Sequence, residues 1–287
     1  MPPLLTIGLA TYDDYDGVYF TIQALRMYQS VYSDQTEIIV IDNNPGSVHG
    51  KATKQLVQQI GGRYIPDTTT SSSFNKYKIV EHATGKYVLI VDCHVLLQPG
   101  AIDSLLEHYE QHPNCRDLIQ GPLLHDDLIT VSTHFAPGWS GHMWGTWSTN
   151  IEAYSTEKPF EIPMQGMGLL SFERSNWPGI SKHFRGFGGE EGYISERFRQ
   201  RGGTNICIPR LKWVHRFNRP NGVPFPLMLE DRIWNYFIGY LDLYKDAAHE
   251  RVVDTYKYFA KHINEEKVKL ILEDACKVSG IVYKPVH

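Results

Sequence analysis

The 287-residue chain lacks the features that mark several common classes of protein. Its four cysteines, Cys93, Cys115, Cys207 and Cys276, have no paired spacing, so neither a disulfide framework nor a structural zinc site is expected. No apolar run approaches the roughly 20 residues of a membrane-spanning helix, and no membrane insertion is expected. The first residues show no basic region followed by an apolar stretch, which predicts no secretory signal and a soluble, cytoplasmic protein. Internal repeats and low-complexity tracts are missing. The formal net charge of −4 argues against a generic polyanion binder. A hydrophobic content of 42% is ample for a packed core, in a length that makes one large or two small domains.

The hydrophobic pattern of the first part alternates between strand and helix periods. Strands are predicted at residues 4–10, 37–41, 63–65 and 87–92, and helices at 18–32, from 51 onward, and at 74–83. Such alternation implies a mainly parallel sheet with helices on both faces. Ligands of such sheets bind outside the carboxyl ends of the strands, where Thr11, Asp42 and Asp92 fall. Beyond Leu123 the alternation stops. Residues 125–134 read as an extended segment, and 137–147, rich in Gly, Trp and His, as a loop or irregular sheet. Gly166-Met167-Gly168 leads into a strand at 169–172. Gly186-Phe187-Gly188-Gly189 opens a helix at 190–200, which Gly202-Gly203 ends. A short strand at 207–209 and a segment carrying His215 follow. Residues 218–226 read as a mobile connection and 229–278 as an amphipathic helical tail. The resulting division is a domain at 1–217, with a first part at about 1–122 and a second at about 123–217, followed by a connection and tail at 218–287.

Several residues carry chemistry. In Asp92-Cys93-His94 the carboxylate and imidazole are two residues apart, so an extended backbone aims both at one face. An oxygen and nitrogen pair suits manganese, with magnesium the other option, and leaves positions for phosphate oxygens. The plain alternative is a turn cap and a packed histidine, and Cys93 should point inward. Asp42 is either a ligand contact or an Asx-turn residue before Pro45-Gly46. Glu190 and Glu191 are either an acid–base pair or a helix-dipole cap, and Gly188-Gly189 would let a ligand approach the backbone. Between Ser181 and Arg219 lie nine Lys and Arg residues against three Glu, a field that attracts phosphate or an ordinary solvated face. Trp139, Trp144, Trp147 and Trp177 either stack on sugars and bases or fill the core. His134 and His142 are not expected to be ligands.

The order of the Asp-Asn-Asn-Pro-Gly-Ser turn, Asp-x-His, Gly-Phe-Gly-Gly-Glu-Glu and a late Val-His resembles the GT-A fold nucleotide-sugar glycosyltransferases. The likeness is nearest to the polypeptide N-acetylgalactosaminyltransferases, then to the β-1,4-galactosyltransferases, and covers roughly residues 4–217 but not the tail. It implies an α/β GT-A fold with a mixed, mainly parallel sheet flanked by helices, here with a C-terminal helical extension. It also implies a divalent metal on Asp92, His94 and His215, and a UDP-sugar donor. By the same likeness Thr11, Asp42 and the adjacent Asn43 would meet the nucleobase and ribose, with Asn75 and Lys76 as the next contacts. Gly166 would belong to the floor beneath the donor, and Gly188-Gly189 to the start of the catalytic helix. Glu190 would contact the donor sugar or the acceptor. Glu191 stands where inverting relatives carry the general base and the retaining N-acetylgalactosaminyltransferases an asparagine. A diphosphate clamp by Arg216 or Arg219 is an inference from charge alone. Residues 218–226 are a candidate lid. The acceptor would be a glycan, a protein or a hydroxylated DNA base. A sugar-1-phosphate nucleotidyltransferase would need a Gly-rich phosphate loop with a basic residue after the first strand, which Gly8-Leu9-Ala10-Thr11-Tyr12 lacks. A non-catalytic sugar-binding module would leave the metal ligands and paired carboxylates without a task.

Overall fold

Three serine and aspartate side chains decide where the early helices begin. The computed structural model describes residues 2–29, 35–69, 71–219 and 222–281. Its first elements are β1 (Leu5–Thr11), α1 (Tyr15–Tyr28), β2 (Thr36–Asp42), α2 (Val48–Gln59), β3 (Arg63–Pro66), α3 (Ser72–His82) and β4 (Tyr87–Asp92). All three helices start two or three residues before the predicted points. Asp14, Ser47 and Ser71 cap them by accepting from the backbone N–H groups of Gly17, Gly50 and Phe74, and a cap sets a helix start ahead of its first buried residue. The predicted end of the first helix, at residue 32, lies outside the described residues.

The chain continues through β5 (Val95–Leu97), α4 (Ala101–Gln111), β6 (Leu118–Gln120), β7 (Leu123–Leu124), β8 (Val131–Ser132), β9 (His134–Ser140) and β10 (Met143–Ser148). Then come α5 (Ile151–Ser155), β11 (Phe160–Glu161), β12 (Leu169–Glu173), α6 (Glu190–Arg199), β13 (Asn205–Cys207) and β14 (Trp213–His215). The main sheet has the order β11-β13-β6-β12-β4-β1-β2-β3. Its β4-β1-β2-β3 side is parallel, and β12 runs antiparallel between β4 and β6. This is the expected mixed, mainly parallel α/β architecture.

The second half departs from the sequence reading at 125–134 and at the late strand, and takes the irregular-sheet option at 137–147. Residues 125–134 are not one extended segment: Asp127 accepts from the N–H groups of Ile129 and Thr130 and folds a tight turn between the antiparallel β7 and β8. Residues 137–147 are a β9–β10 hairpin, turning at Gly141-His142 with positive φ at both. The late strand sits at Asn205–Cys207 rather than 207–209, because those residues pair with Leu118–Gln120.

Strand alternation divides the core between the two sheet faces. Leu5, Ile7, Leu9, Leu89 and Val91 pack with α1, α2 and α4. Val88, Ile90 and Phe172 face the other way, and there the tail covers them. That tail is three helices, α7 (Leu229–Tyr244), α8 (His249–His262) and α9 (Glu265–Ser279). Ile233, Phe237 and Ile238 of α7, Phe259 of α8 and Val268 of α9 share one apolar cluster with the strands. No helix among the described residues is long and apolar enough to cross a membrane.

Phe237 is fully buried in this shared cluster. Replacing it with alanine should lower unfolding stability by about 3–5 kcal/mol, read from urea denaturation. A loss below ~1 kcal/mol would mean that the tail contributes little to the common core.

Candidate active site

Parallel register places the predicted strand-end residues side by side: Thr11 pairs with Asp42, and Ala10 with Asp92. After Asp92 the chain turns at Cys93-His94 into β5, which pairs antiparallel with β14 so that His215 lies opposite Val95. That ladder brings His94 against His215, with their Nε2 atoms 3.1 Å apart. His215 Nε2 is also 3.4 Å from Asp92 Oδ2.

These three side chains each offer a ligand atom, all within 4.8 Å of one another. About 3 Å is the spacing of neighbouring corners of an octahedron whose metal–ligand bonds are near 2.1 Å. Asp14 stands behind the cluster. His94 Nδ1 lies 2.9 Å from its carboxylate, which orients the ring and directs Nε2 forward, the outer-shell arrangement of metal-ligating histidines. Burial holds the His94 imidazole below its usual pKa against the opposing pull of Asp14, so the ring stays neutral. Burial pushes the Asp92 carboxyl up, but the His215 hydrogen bond and the charges of Lys76, His215 and His94 outweigh it. Asp92 is therefore ionised. A neutral His94 imidazole, an ionised carboxylate and a buried His215 Nδ1 with no partner among the described residues fit a divalent cation. Cys93 is buried and turned toward Asp14, with its thiol pushed up by desolvation.

The cluster opens into a cavity of about 540 Å³. Of the residues singled out from the sequence, Thr11, Asn43, Asn75, Lys76, Asp92, His94, Gly166, Glu191 and His215 line it. Thr11 is buried, with its hydroxyl beside the Cys93 thiol. Asn43 and Asn75 hold each other through their amides, and Asn43 Nδ2 also donates to the carbonyls of Asp67 and Thr69. Asp42, Glu190, Gly188, Gly189 and Arg216 do not line this cavity. Asp42 takes the turn role: it accepts from the Tyr64 hydroxyl at 2.7 Å and the Asn44 N–H at 2.9 Å. Arg216 donates to Asp14 at 2.6 Å.

Glu191 reaches the cavity from the first turn of α6. Burial, and then the charge of Glu190, push its carboxyl up to about 7, against smaller pulls from Lys76 and Arg232. Glu190 is 1% exposed, and neither Oε atom has a partner among the described residues.

The glycines before this helix act differently from the sequence reading. A Cβ on Gly186 would lie 2.5 Å from Asp231 Oδ2, one on Gly188 2.7 Å from Arg232 Nε, and one on Gly189 3.1 Å from Asn235 Cβ. They make room for α7, not for a ligand. Gly166 and Gly168 instead admit the rings of Trp147 and Trp213, at 2.6 and 2.9 Å from the same construction.

Among the tryptophans considered from the sequence, only Trp147 lines the cavity. Trp139 stacks on Tyr258, Trp144 packs edge-on to Trp139, and Trp177 stacks on Phe172. The basic run of 181–219 disperses on folding. Arg185 lies over Trp234, Arg197 and Arg201 donate to backbone carbonyls, Arg210 pairs with Glu107, and only Arg219 lines the cavity. In the predicted connection, Val223, Pro224 and Phe225 line the cavity, and Phe225 meets Tyr12 edge-on. Residues 220–221 of it lie outside the described residues. Sequence reasoning missed Asp14, Phe135, Trp213 and Arg232. Asp14 carried a signal as the helix cap just beyond the first strand.

Comparison with known proteins bears on the fold. Residues 6–141 match the model of glycosyl transferase family 2. No curated protein sequence matches the chain. Among solved structures, GalNAc-T7 with UDP, GalNAc and Mn2+ is similar at a TM-score of 0.70 and 12% identity, over 98% of this chain and 55% of that one. The chain thus spans about half the length of that relative, and the match takes in the tail. The mannosyltransferase PcManGT from Pyrobaculum calidifontis, in complex with GDP-Man and Mn2+, has a TM-score of 0.60 at 13% identity, over 99% of this chain and 77% of that one. Residues 1–349 of S. aureus TarS give 0.57 at 11%, over 90% and 73%. The chain has the GT-A fold of the nucleotide-sugar glycosyltransferases.

The raised Glu191 has a consequence for stability. Its folded-state pKa of about 7 lies above the unfolded 4.5, so its stabilising effect is complete below 4.5 and is lost as pH rises through 7. Glu191→Gln should therefore gain stability relative to the parent protein between pH 5 and pH 8, measured as the difference in Tm. An equal difference at both pH values would refute the raised pKa.

Proposed function

We propose that this protein, a glycosyltransferase by its family 2 match and GT-A fold, is divalent-metal dependent and moves a sugar from a UDP-sugar to a hydroxyl acceptor with inversion. The observation that carries this reading is that one cavity holds both the Asp92, His94 and His215 donors and a carboxyl group poised near neutrality.

The donor's nucleoside would lie over the carboxyl ends of β1 and β2. Thr11 has a buried hydroxyl there, and Asn43 and Asn75 hold a fixed amide wall. Asp42 does not line the cavity, so the direct contacts to the base fall to Thr11 and Asn43, which do. A cation held by Asp92, His94 and His215, Mn2+ or Mg2+, would supply Lewis-acid stabilisation of the departing diphosphate. Lys76 and Arg219 line the same cavity and add fixed positive charge where that negative charge develops. Arg216 supports Asp14, and through it His94, without touching the donor.

Glu191 acts as general base. It takes the proton of the acceptor hydroxyl as that oxygen bonds to the anomeric carbon, and the bond from this carbon to the β-phosphate oxygen breaks with its electron pair leaving on UDP. A base with a pKa near the working pH is the efficient choice. Glu190 does not reach the cavity, so its part is to raise Glu191 through charge rather than to touch sugar. The aromatic wall of Phe135, Trp147 and Trp213 favours a glycan or protein hydroxyl.

Release of UDP from a panel of UDP-sugars should require Mn2+ or Mg2+ and fall by at least ~100-fold in Asp92→Ala. Absence of any nucleotide-sugar binding with metal present would sink the reading. Glu191→Gln should retain UDP affinity and lose ~10²–10⁴-fold in turnover; full turnover would remove the base assignment.

A further inference from the structure

The helical tail supplies the mould in which the catalytic loop is cast. Three side chains on the first two turns of α7 fill the space that side chains would occupy on Gly186, Gly188 and Gly189. Asn235 is fully buried and forms three hydrogen bonds to the loop. Its Oδ1 accepts from the Arg185 N–H at 2.7 Å, and its Nδ2 donates to the Arg185 carbonyl at 2.7 Å and the Gly188 carbonyl at 2.8 Å. One amide thus pairs with Arg185 as a neighbouring strand would, and reaches on to Gly188. Arg232 passes beside Gly188, with its guanidinium 5.7 Å from the Phe187 ring. Phe187 and Glu191 both line the cavity.

The backbone of this loop needs such support. Gly186, Gly188 and Gly189 have φ of +43°, +99° and +88°, values a free chain would not hold in one arrangement. A buried amide with three bonds fixes them, and with them the direction in which α6 starts. Two successive carboxylates in that first turn are kept out of water, a placement that stands only if the surroundings over-determine it.

We infer that Asn235 and Arg232 of the tail are positioning residues for the reaction, Asn235 fixing the Gly186–Gly189 loop that aims Glu191 and Arg232 placing a positive charge beside it. This inference rests on the proposed role of Glu191 as base. The charged and titratable groups that act on Glu191 are Glu190 on its own helix, Lys76 from α3, and Arg232 and Tyr236 from α7. Of these, Arg232 alone also occupies the glycine loop.

Hydrogen exchange and stability test the inference apart from turnover. In Asn235→Ala the amides of residues 186–189 should exchange at least ~10-fold faster, with Asn235→Asp between it and the parent protein. Phe237→Ala, on the same helix but away from the loop, should leave their exchange unchanged at temperatures below its own unfolding. In Arg232→Gln the pH window over which Glu191 destabilises the fold should move up by roughly one unit, while Arg232→Lys keeps it in place. With an active donor, Asn235→Ala should lose turnover by at least ~10-fold with its donor KM within ~2-fold. Unchanged loop exchange in folded Asn235→Ala, or an unmoved window in Arg232→Gln, overturns the inference. Normal results in both with no turnover of any donor would instead overturn the enzymatic reading alone.

Discussion

The pairing of β5 with β14 is the contact on which the site depends. His94 and His215 are 121 residues apart in sequence, and nothing local brings them together. The antiparallel register of Val95 with His215 does. A slip of one residue would turn His215 to the opposite face, and a slip of two would carry it about 7 Å along the strand, out of reach of a shared cation. Trp213 guards the register. It is 1% exposed, its indole N–H donates to the Gly121 carbonyl at 2.7 Å, and its ring lies where Gly168 has no side chain. The three candidate ligands are thus held by packing around a tryptophan two residues from His215.

Charge is the second constraint. Asp14, Asp92, Glu190 and Glu191 are packed near one cavity, a set that would not stay ionised together without opposing cations. The structure separates them by environment. Asp14 is held low by His94 and Arg216, and Asp92 by His215 and Lys76, each against the effect of burial. For Glu191, burial and the charge of Glu190 outweigh the pulls of Lys76 and Arg232, and its carboxyl is pushed up. Carboxyl groups whose surroundings drive their pKa values apart can divide the work, some binding a cation and one exchanging a proton. Glu190, buried without a hydrogen bond among the described residues, is the local cost of this division.

Much of this was legible in the chain. Alternating strand and helix periods gave the parallel half-sheet, and the ends of three strands pointed to one crevice. Asp92, His94 and His215, singled out by spacing and resemblance, have ligand atoms within 4.8 Å of one another. What was not legible depended on neighbours distant in sequence. Asp42 looked equally suited to a base contact, but Tyr64, 22 residues on, occupies its carboxylate. Arg216 and Arg219 looked alike as clamps, yet one turns to Asp14 and the other lines the cavity. A count of basic residues cannot show that folding points them at separate carbonyls, rings and acids.

The glycines make the same point more sharply. Gly188 and Gly189 read in the sequence as backbone left open to a ligand, and Gly166 as part of the floor beneath the donor. In the structure Gly188 and Gly189 give way to a helix and Gly166 to a tryptophan ring. A glycine records that something lies close, and not what it is. Here the neighbour of the catalytic loop comes from beyond residue 228. A division of the chain at 217 would part Glu191 from Asp231, Arg232 and Asn235, the residues that shape its loop. Helix α7 joins in covering the apolar face of the sheet and also bounds the Gly186–Gly189 loop, so one helix contributes both to the packing that stabilises the fold and to the geometry that places Glu191.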